Sequence, residues 1–444
     1  MGHERDRIMR KIAIIGTGYV GLVSGAGISE FGHNVICVDI DKKKIDLLNT
    51  GNIPIYERGL KSIIERNRVA GRLQFSSDVT RAIEVSDIIF IAVGTPQGKN
   101  NEVDLRAVES VAHSIGKHLN GYKIICTKST VPVGTGKKIE SIIKTKNNSA
   151  EFDYVSNPEF LREGTAIKDF LHPNRVVIGA RSEKAINIMR DIYRPLYINE
   201  TPILVTNIET AEMIKYASNA FLALKISYIN EIANLCEVVG ADIHEVAKAM
   251  GQDGRISSKF LHPGPGFGGS CFPKDTQALA TIGQINDTPL NTIEAAIKTN
   301  KRQKLRMVNK LERLMNYEVK GKTIAVLGLA FKQHTDDVRD AASKVIVPEL
   351  IEKGATIHAY DPIAMDNFKI YHSEINYFDN WQDAVDGADA LIILTEWNEF
   401  RGMDLESLKS LLKTPIVLDT KNILSMQQLE LLGFTFDNVG RKIS

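Results

Sequence analysis

The stretch KIAIIGTGYVG, residues 11–21, decides the fold of the N-terminal part of the chain. Lys11–Gly16 predicts a short apolar strand, and a helical pattern follows the glycines as far as Phe31. Gly32 ends that helix, and Asn34–Asp39 predicts a second strand. A strand–turn–helix–strand unit of ~30 residues is the setting in which a glycine triplet of this spacing indicates dinucleotide binding.

Each glycine of the triplet has a physical task in such a site. Gly16 allows the tight turn, Gly18 lets the backbone approach a pyrophosphate, and Gly21 permits close helix–strand packing. The phosphates then face the helix N-terminus. Asp39 ends the second strand, where a carboxylate can bond ribose hydroxyls. Lys44 could approach the same ribose, although the lysine run it ends is equally consistent with a solvated surface. The alternative for the whole triplet is a purely structural turn.

Strands and helices continue to alternate after this unit. Ile88–Val93 and Ile124–Thr127 read as strands, and residues 59–67 and 105–118 read as helices. This alternation predicts a parallel sheet covered on both faces, with residues 154–156 and 175–179 extending it. From about Thr206 the pattern becomes helical, with one long helix over Ile208–Val239 and another over Asn291–Leu314.

A second α/β segment begins at Gly321. The stretch TIAVLG, residues 323–328, resembles KIAIIG at 11–16, but the glycine triplet is missing after it. We therefore predict an α/β fold of two Rossmann-like doubly wound domains joined by a central helical region with one long helix. The predicted domains are residues 1–206, 207–315 and 316–444.

Composition narrows the class of protein. Lys plus Arg (55) nearly balances Asp plus Glu (54), so no global charge recruits nucleic acid or an anionic membrane. No apolar run approaches the ~18 residues of a membrane span. The first ten residues are charged and are not expected to be a signal peptide, and Met9 could be the natural start, with Met1–Ile8 an extension. The four widely spaced cysteines argue against a disulfide framework and a zinc site, which favours the cytoplasm and no metal.

One cysteine stands apart from the others. Cys37 and Cys126 lie in apolar strands and Cys236 lies on a helix, which is typical of packed thiols. Cys271 follows a glycine-rich loop that ends in Gly268-Gly269-Ser270, with Lys274 and Asp275 close behind. A cationic neighbour favours the reactive thiolate, so this pattern favours a nucleophile over a structural thiol.

Two further pairs of polar residues have helical spacing. Lys215 and Asn219 are four apart in the long helix and share one face. Glu159 and Glu163 are also four apart and could act as acid and base. The alternatives are an exposed helix pair for the first two, and ordinary ion pairing with Arg162 for the two glutamates.

Seven stretches, taken in order, resemble the motifs of the UDP-glucose/GDP-mannose dehydrogenase family over nearly the whole chain. They are residues 16–21, 93–96, 128–132, 157–165, 211–221, 266–275 and 331–339. The resemblance implies a four-electron oxidation of a nucleotide sugar with two NAD, in which a cysteine carries the intermediate. It also implies a homodimer formed through the long helix, an NAD-binding first domain and a UDP-sugar-binding third domain.

The resemblance implies roles for individual residues. The implied catalytic residues are Cys271 as nucleophile, Asp275, Lys215, Asn219, Thr130 and Glu159. The implied cofactor contacts are Gly16, Gly18, Tyr19, Val20, Gly21, Asp39, Lys44, Thr95, Thr130, Glu163, Lys274 and Arg339. The implied substrate contacts are Glu159, Phe160, Leu161, Lys215, Asn219, Tyr228, Phe260, Gly268, Lys332 and Arg255, the last reaching a neighbouring subunit.

Details within the motifs favour one substrate. Ser270 before Cys271, rather than histidine, argues against UDP-N-acetyl sugars, and Arg162-Glu163-Gly164 favours UDP-glucose over GDP-mannose. The chain departs from the family at Gln333-His334 and at Lys421, where an arginine is expected. A catalytically silent NAD-binding regulator is the alternative from another class, because a Rossmann fold alone does not decide function.

Overall fold

The computed structural model describes residues 9–441, so the proposed extension Met1–Ile8 lies outside the described residues. The chain divides into two compact units, with the boundary between Ala217 and Ser218. No helix among the described residues is both long and apolar enough to cross a membrane.

The first unit is built on an eight-stranded sheet in the order β3-β2-β1-β4-β5-β6-β7-β8. Its strands are β1 (Lys11–Ile15), β2 (Asn34–Val38), β3 (Leu73–Ser76), β4 (Ile88–Ile91), β5 (Lys123–Thr127), β6 (Phe152–Ser156), β7 (Val176–Ala180) and β8 (Ile203–Thr206). Its helices are α1 (Tyr19–Glu30), α2 (Lys42–Asn49), α3 (Leu60–Val69), α4 (Val79–Val85), α5 (Arg106–His118), α6 (Thr135–Lys146), α7 (Ala166–Leu171) and α8 (Glu183–Ile192).

The expectation of a wholly parallel first sheet is wrong at one pair of strands. β6 and β7 pair antiparallel, through Val155 with Ala180 and Ser156 with Gly179. The connection between them contains only the short α7 and joins the two strands at the same end of the sheet, without crossing over to the other end.

The second unit holds the rest of the helices and a six-stranded parallel sheet in the order β11-β10-β9-β12-β13-β14. One long helix, α9 (Ile208–Val239), begins in the first unit and ends in the second. It is followed by α10 (Ile243–Gln252), α11 (Phe272–Ile285), α12 (Asn291–Leu314), α13 (Ser343–Glu352), α14 (Met365–Lys369), α15 (Trp381–Val385), α16 (Asn398–Arg401), α17 (Leu405–Leu411) and α18 (Met426–Leu431). The strands are β9 (Thr323–Leu327), β10 (Thr356–Tyr360), β11 (Asn376–Tyr377), β12 (Ala390–Ile393), β13 (Ile416–Asp419) and β14 (Thr435–Asp437).

The strand sequences explain why both sheets are covered on two faces. Along β1, Ile12 and Ile14 pack into one apolar cluster while Ala13 and Ile15 pack into another. In β9, Ile324 and Val326 pack on one face and the intervening residues pack on the other. Continuous apolar runs are typical of strands buried on both faces. The predicted α/β fold, with two Rossmann-like sheets and a central helical region, is confirmed.

Candidate active site

The glycine turn after β1 has the geometry that a dinucleotide needs. Gly16 has a φ of 107°, and its N–H donates to the Val38 carbonyl at 2.7 Å. A Cβ on Gly16 would lie 2.6 Å from the Ala92 carbonyl oxygen, whereas nothing lies within 4 Å of a Cβ on Gly18. Gly18 therefore leaves open space where a ligand can meet the backbone, directly before Tyr19 and Val20 start α1.

Asp39 and Lys44 lie together beside this turn. The Asp39 carboxylate accepts hydrogen bonds from the Thr17 N–H at 2.9 Å and the Thr17 hydroxyl at 2.7 Å. The Lys44 ammonium lies 3.5 Å from it. Burial raises the pKa of Asp39, but the bonds from Thr17 and Asp41 and the charge of Lys44 outweigh burial and hold the pKa below its ordinary value. The carboxylate is thus ionised and lies beside the glycine turn.

Glu57 is a buried residue of this region that the sequence did not reveal. Its carboxylate accepts from the Gly164 N–H at 2.7 Å, from the Ala166 N–H at 2.9 Å and from the Tyr19 hydroxyl. Burial, followed by the bond from Glu57, raises the pKa of Tyr19. Glu57 therefore links the glycine turn with the loop that carries Glu159 and Glu163. The residues around Glu57 show no motif or periodicity that marks it.

A buried ion pair forms the polar part of the site in the first unit. The Lys215 ammonium lies 3.0 Å from the Glu159 carboxylate, and both side chains are about 95% buried, with 4% and 5% exposed. Two cations lie near the Phe160 ring, with the Arg175 guanidinium 3.5 Å and the Lys215 ammonium 5.4 Å from its centroid. The Leu161 N–H donates to Glu159 at 2.5 Å.

Lys128 is a second buried lysine near this ion pair, and it was not among the predicted site residues. The Lys128 ammonium donates to the Asn157 side-chain oxygen at 3.0 Å and to the Tyr193 hydroxyl at 3.2 Å. Burial lowers the pKa of Lys128 to about 8. After the neighbouring strands β4 and β5, the Thr95 hydroxyl donates to the Thr130 carbonyl at 2.9 Å. This bond brings two predicted cofactor residues together.

The predicted nucleophile lies at the start of a helix in the second unit. Cys271 is the N-cap of α11, and the Asp275 N–H donates to its carbonyl at 2.8 Å. The positive end of a helix dipole stabilises a negative thiolate. Cys271 is partly exposed, whereas the three other thiols are buried, and burial raises the pKa of Cys37 to about 12.

The Asp275 carboxylate, one turn into α11, is fully buried and holds two other predicted site residues. The Asn219 side-chain amide donates to one of its oxygens at 2.6 Å, and the Lys274 ammonium lies 2.5 Å from the other. Asn219 is one turn after Lys215 on the same face of α9. The alternative of an exposed pair is wrong, because both side chains are buried.

Other predicted residues of the second unit surround the loop before Cys271. The ring of Phe260 packs on Phe272 with centroids 6.0 Å apart. The Gly269 N–H donates to the Arg339 carbonyl at 2.8 Å, while the Arg339 guanidinium forms an ion pair with Asp337. The Lys332 ammonium lies 5.3 Å from the centroid of the Phe331 ring, and a Cβ on Gly269 would lie 2.8 Å from that ring.

Arg255, Tyr228 and Glu163 are three further predicted site residues. Arg255 is exposed and pairs with Asp253 at 2.6 Å. Tyr228 is 46% exposed, and its position nine residues after Asn219 puts it about half a turn around α9 from that amide. Glu163 lies in the loop that Glu57 holds, and Arg162 in the same loop pairs with Asp169. Glu159 pairs with Lys215, so ion pairing with Arg162 stays a prediction for Glu163 alone. Lys421, where an arginine was expected, pairs with Glu396 at 2.7 Å.

Three sequence models of one family match successive parts of the chain. The NAD binding domain of the UDP-glucose/GDP-mannose dehydrogenase family matches residues 10–197, its central domain matches 209–302, and its UDP binding domain matches 325–426. The chain belongs to the UDP-glucose/GDP-mannose dehydrogenase family.

Relatives within the UDP-glucose/GDP-mannose dehydrogenase family are similar over almost their whole length. The UDP-glucose 6-dehydrogenase TuaD of Bacillus subtilis (strain 168) is 51% identical, with 98% of this chain and 94% of the relative covered. A UDP-glucose 6-dehydrogenase of Rhizobium meliloti (strain 1021) is 48% identical, with 97% and 99% covered.

Solved structures of the family show the same fold. A UDP-glucose dehydrogenase from Pyrobaculum islandicum has a TM-score of 0.90 at 35% identity, covering 94% of this chain and 96% of that one. A UDP-D-ManNAc dehydrogenase from Pyrococcus horikoshii has a TM-score of 0.85 at 27% identity, covering 97% and 99%. As a member of this dehydrogenase family, the chain is an NAD-dependent oxidoreductase, and the glycine turn after β1 belongs to its NAD-binding domain. A silent regulator is thereby disfavoured.

Proposed function

We propose that the chain oxidises the 6-hydroxyl of UDP-glucose to the carboxylate of UDP-glucuronate, with two NAD reduced per sugar. The observation that carries this proposal is the position of Cys271 at the N-terminus of α11, one turn before the buried Asp275 and its partner Asn219. Relatives that are 51% and 48% identical over nearly the full chain are named UDP-glucose 6-dehydrogenases, which supports this substrate over GDP-mannose or a UDP-N-acetyl sugar.

The first oxidation removes two electrons from the alcohol. NAD would accept the hydride from C6, and the hydroxyl proton would pass to Glu159 or to a water oriented by Glu159 and Thr130. The buried Lys215 ammonium, 3.0 Å from Glu159, stabilises negative charge on the sugar oxygen. Preorganised donors of this kind are worth roughly 10²–10³ in rate each.

The second oxidation runs through a covalent intermediate. The Cys271 sulfur would bond to the aldehyde carbon as the C=O π bond opens and the thiol proton passes to the oxygen, which gives a thiohemiacetal. A second NAD would accept the hydride from this carbon, the hydroxyl proton would pass to Glu159 or to a water, and a thioester would remain. Water then forms a C–O bond as the C–S bond breaks, and the thiol is regenerated. Asp275, held by Asn219 and Lys274, activates that water. A thiolate suits both steps because it attacks carbonyls well and water can displace the acyl group.

The remaining predicted roles belong to the same proposal. Residues 1–206 bind NAD through the glycine turn, Asp39, Lys44, Thr95 and Glu163. Lys274 and Arg339, from the second and third predicted domains, also contact NAD. Residues 207–315 supply α9 and the cysteine loop, and residues 316–444 bind the UDP half through Lys332. Phe160, Leu161, Phe260 and Gly268 are the further residues proposed to contact the sugar. The undisulfided cysteines favour the cytoplasm.

We also propose that the enzyme is a homodimer formed through α9. Phe221, Tyr228 and Leu235 recur every seven residues and are 60%, 46% and 56% exposed, so they form an apolar stripe along the helix. Such a repeat is typical of helices that pair. The exposed Arg255 is then available to the partner subunit's sugar site. Leu235→Glu should yield monomers in sedimentation measurements, and an unchanged dimer would exclude this surface.

The chemistry is tested by counting NADH per sugar. Wild type is incubated with UDP-glucose, GDP-mannose, UDP-N-acetylglucosamine and UDP-N-acetylmannosamine in turn. We expect two NADH per UDP-glucose and slow or absent reaction with the others. Cys271→Ala should keep its fold and bind both ligands, but stop near one NADH per sugar. Full conversion to UDP-glucuronate by Cys271→Ala would contradict the covalent mechanism.

A further inference from the structure

The segment Gly264–Phe267, which lies shortly before Cys271, has no regular secondary structure. Its backbone is buried, and Gly264, Pro265 and Phe267 are all classed among the buried residues. Buried N–H and carbonyl groups need hydrogen-bond partners. In this segment the partners come from side chains of α9 and α12.

Gly264 is bonded through both of its backbone polar groups. Its N–H donates to the Asn230 side-chain oxygen at 2.8 Å, and its carbonyl accepts from the Gln303 side-chain amide at 2.9 Å. The Asn234 amide donates to the Gln303 side-chain oxygen at 2.9 Å and so fixes the orientation of Gln303. Asn230 and Gln303 are almost completely buried, at 0% and 2% exposure.

Phe267 is bonded in the same way by one residue. Its N–H donates to the Asn300 side-chain oxygen at 2.7 Å, and its carbonyl accepts from the Asn300 side-chain amide at 3.0 Å. A single carboxamide therefore satisfies both polar groups of one residue, as a neighbouring strand would. Gly266 makes room for it, because it has a φ of 109° and a Cβ there would lie 2.6 Å from the Asn300 oxygen.

We propose that Asn230, Asn300 and Gln303 are positioning residues, a carboxamide clamp that presents the Cys271 sulfur to the substrate. The clamp fixes the loop at Gly264 and Phe267, the Gly269 N–H bond to the Arg339 carbonyl fixes it again, and α11 fixes it after Cys271. None of the three clamp side chains titrates, so the clamp holds the loop equally at every pH at which the thiol ionises. This inference rests on the proposed role of Cys271.

The clamp predicts a loss of rate rather than of binding. A nucleophile displaced by ~1 Å can lose roughly 10²-fold in rate. Asn300→Ala should therefore lower kcat by at least about tenfold while the KM for NAD stays near the wild-type value. Asn300→Asp keeps the acceptor for the Phe267 N–H and loses the donor, so its kcat should lie between those of Asn300→Ala and wild type.

A matched control separates positioning from general stability. Asn67 is also fully buried, and its carboxamide donates to Glu30 at 2.7 Å and to the Ile63 carbonyl at 2.9 Å, in the first unit. Asn67→Ala should lower the Tm to a similar degree as Asn300→Ala. It should leave kcat and the reactivity of Cys271 unchanged.

The decisive measurement is the rate at which iodoacetamide alkylates Cys271, followed by mass spectrometry across pH. We expect Asn300→Ala to change both the plateau rate and the pH profile, and Asn67→Ala to change neither. Wild-type alkylation and kcat in Asn300→Ala would overturn the clamp, as would equal changes in both variants. If Asn300→Ala fails to fold, Gln303→Met tests the other attachment point by the same criteria. Alkylation needs no sugar, so the result stands even if wild type fails to oxidise UDP-glucose.

Discussion

The glycine turns that begin the two sheets have the same backbone but different neighbours. Gly16 and Gly328 have φ values of 107° and 95°. The N–H of Gly16 donates to Val38, and the N–H of Gly328 donates to Tyr360, in each case the last residue of the adjacent strand. A Cβ on Gly16 would collide with Ala92, which follows β4, and a Cβ on Gly328 would collide with Thr395, which follows β12. This part of the turn is thus required by the fold in both places.

The carboxylates that follow the second strand of each sheet differ in what they can still bind. Asp39 takes Thr17 and Asp41 and lies beside Lys44, and its side chain is 13% exposed. Asp361 is fully buried and accepts from the N–H groups of Leu329, Ala330, Ile363 and Ala364 and from the indole of Trp397. The Asp361 carboxylate has no room for a ribose.

The helices after the two turns complete the contrast. α1 begins at Tyr19, directly after Gly18, so its N-terminus faces the turn. In the second sheet the chain runs through Lys332 and Arg339 before α13 begins at Ser343. The fold needs only the first glycine and the buried carboxylate. A dinucleotide also needs Gly18, an adjacent helix N-terminus and an acid that can reach the ribose, and the second sheet lacks these.

The largest expected difference between the two carboxylates is in the free energy of unfolding lost when each is replaced by an amide. Asp361→Asn places an NH₂ group against N–H donors in a fully buried site, so we expect a loss of about 3 kcal/mol or more in the free energy of unfolding. Asp39→Asn should lose less than about half of that. Urea unfolding measures both, and equal losses would show that the two carboxylates have the same structural role.

The preference for NAD over NADP tests whether Asp39, and not Asp361, contacts the cofactor. The ionised Asp39 should bond the ribose diol and repel a 2′-phosphate, so wild type should have a higher kcat/KM with NAD than with NADP. Asp39→Asn should narrow that ratio by about tenfold or more, the worth of a charge-assisted hydrogen bond. Asp361→Asn is the control and should leave the ratio unchanged. Equal turnover of wild type with NADP would refute the role of Asp39.

Lys332 tests whether the second sheet has exchanged ligands. Lys332→Ala should weaken UDP-glucose binding by about tenfold, the effect of one lost charge-assisted contact, and leave NAD affinity nearly unchanged. Calorimetric titration of each ligand measures both constants. A selective loss of NAD binding would reverse the roles of the two domains.

The smallest expected effect is on stability in acid. The pKa of Asp39 is below its ordinary value in the folded protein, so its contribution to stability is present above the unfolded pKa and is lost as pH falls through the folded pKa. Wild type should therefore lose slightly more stability than Asp39→Asn below about pH 4, by less than about 1 kcal/mol. Parallel pH–stability curves for the two proteins would contradict this.

Periodic patterns in the sequence predicted the regular elements well. The helices over Ile208–Val239 and Asn291–Leu314 have the predicted bounds, because long runs with one period leave little ambiguity. Short strands such as β3 and β8 were not identified, because four residues show little periodicity. The antiparallel direction of β7 was not expected, because the residues of a strand do not encode its direction. Strand direction is set by the connection.

Motifs indicated the candidate reactive residues, but not the buried residues that hold the loops around them. Cys271, Asp275 and Lys215 lie in recognisable stretches. Glu57, Asn230 and Asn300 act through contacts with backbone groups distant in sequence, such as Gly164 and Phe267. Almost every residue has a backbone N–H and a carbonyl. The sequence therefore does not indicate which residue a buried side chain will bond through them.

The unequal burial of the four thiols allows molecules with an intact Cys271 to be counted chemically. A disulfide reagent that releases a coloured thiolate should react quickly with one sulfur, Cys271, and with Cys37, Cys126 and Cys236 only after unfolding. The fast release then equals the number of molecules with an intact reaction centre, whatever the total protein concentration. Damage by peroxide or by a covalent inhibitor can be expressed per centre in a preparation that is only partly active.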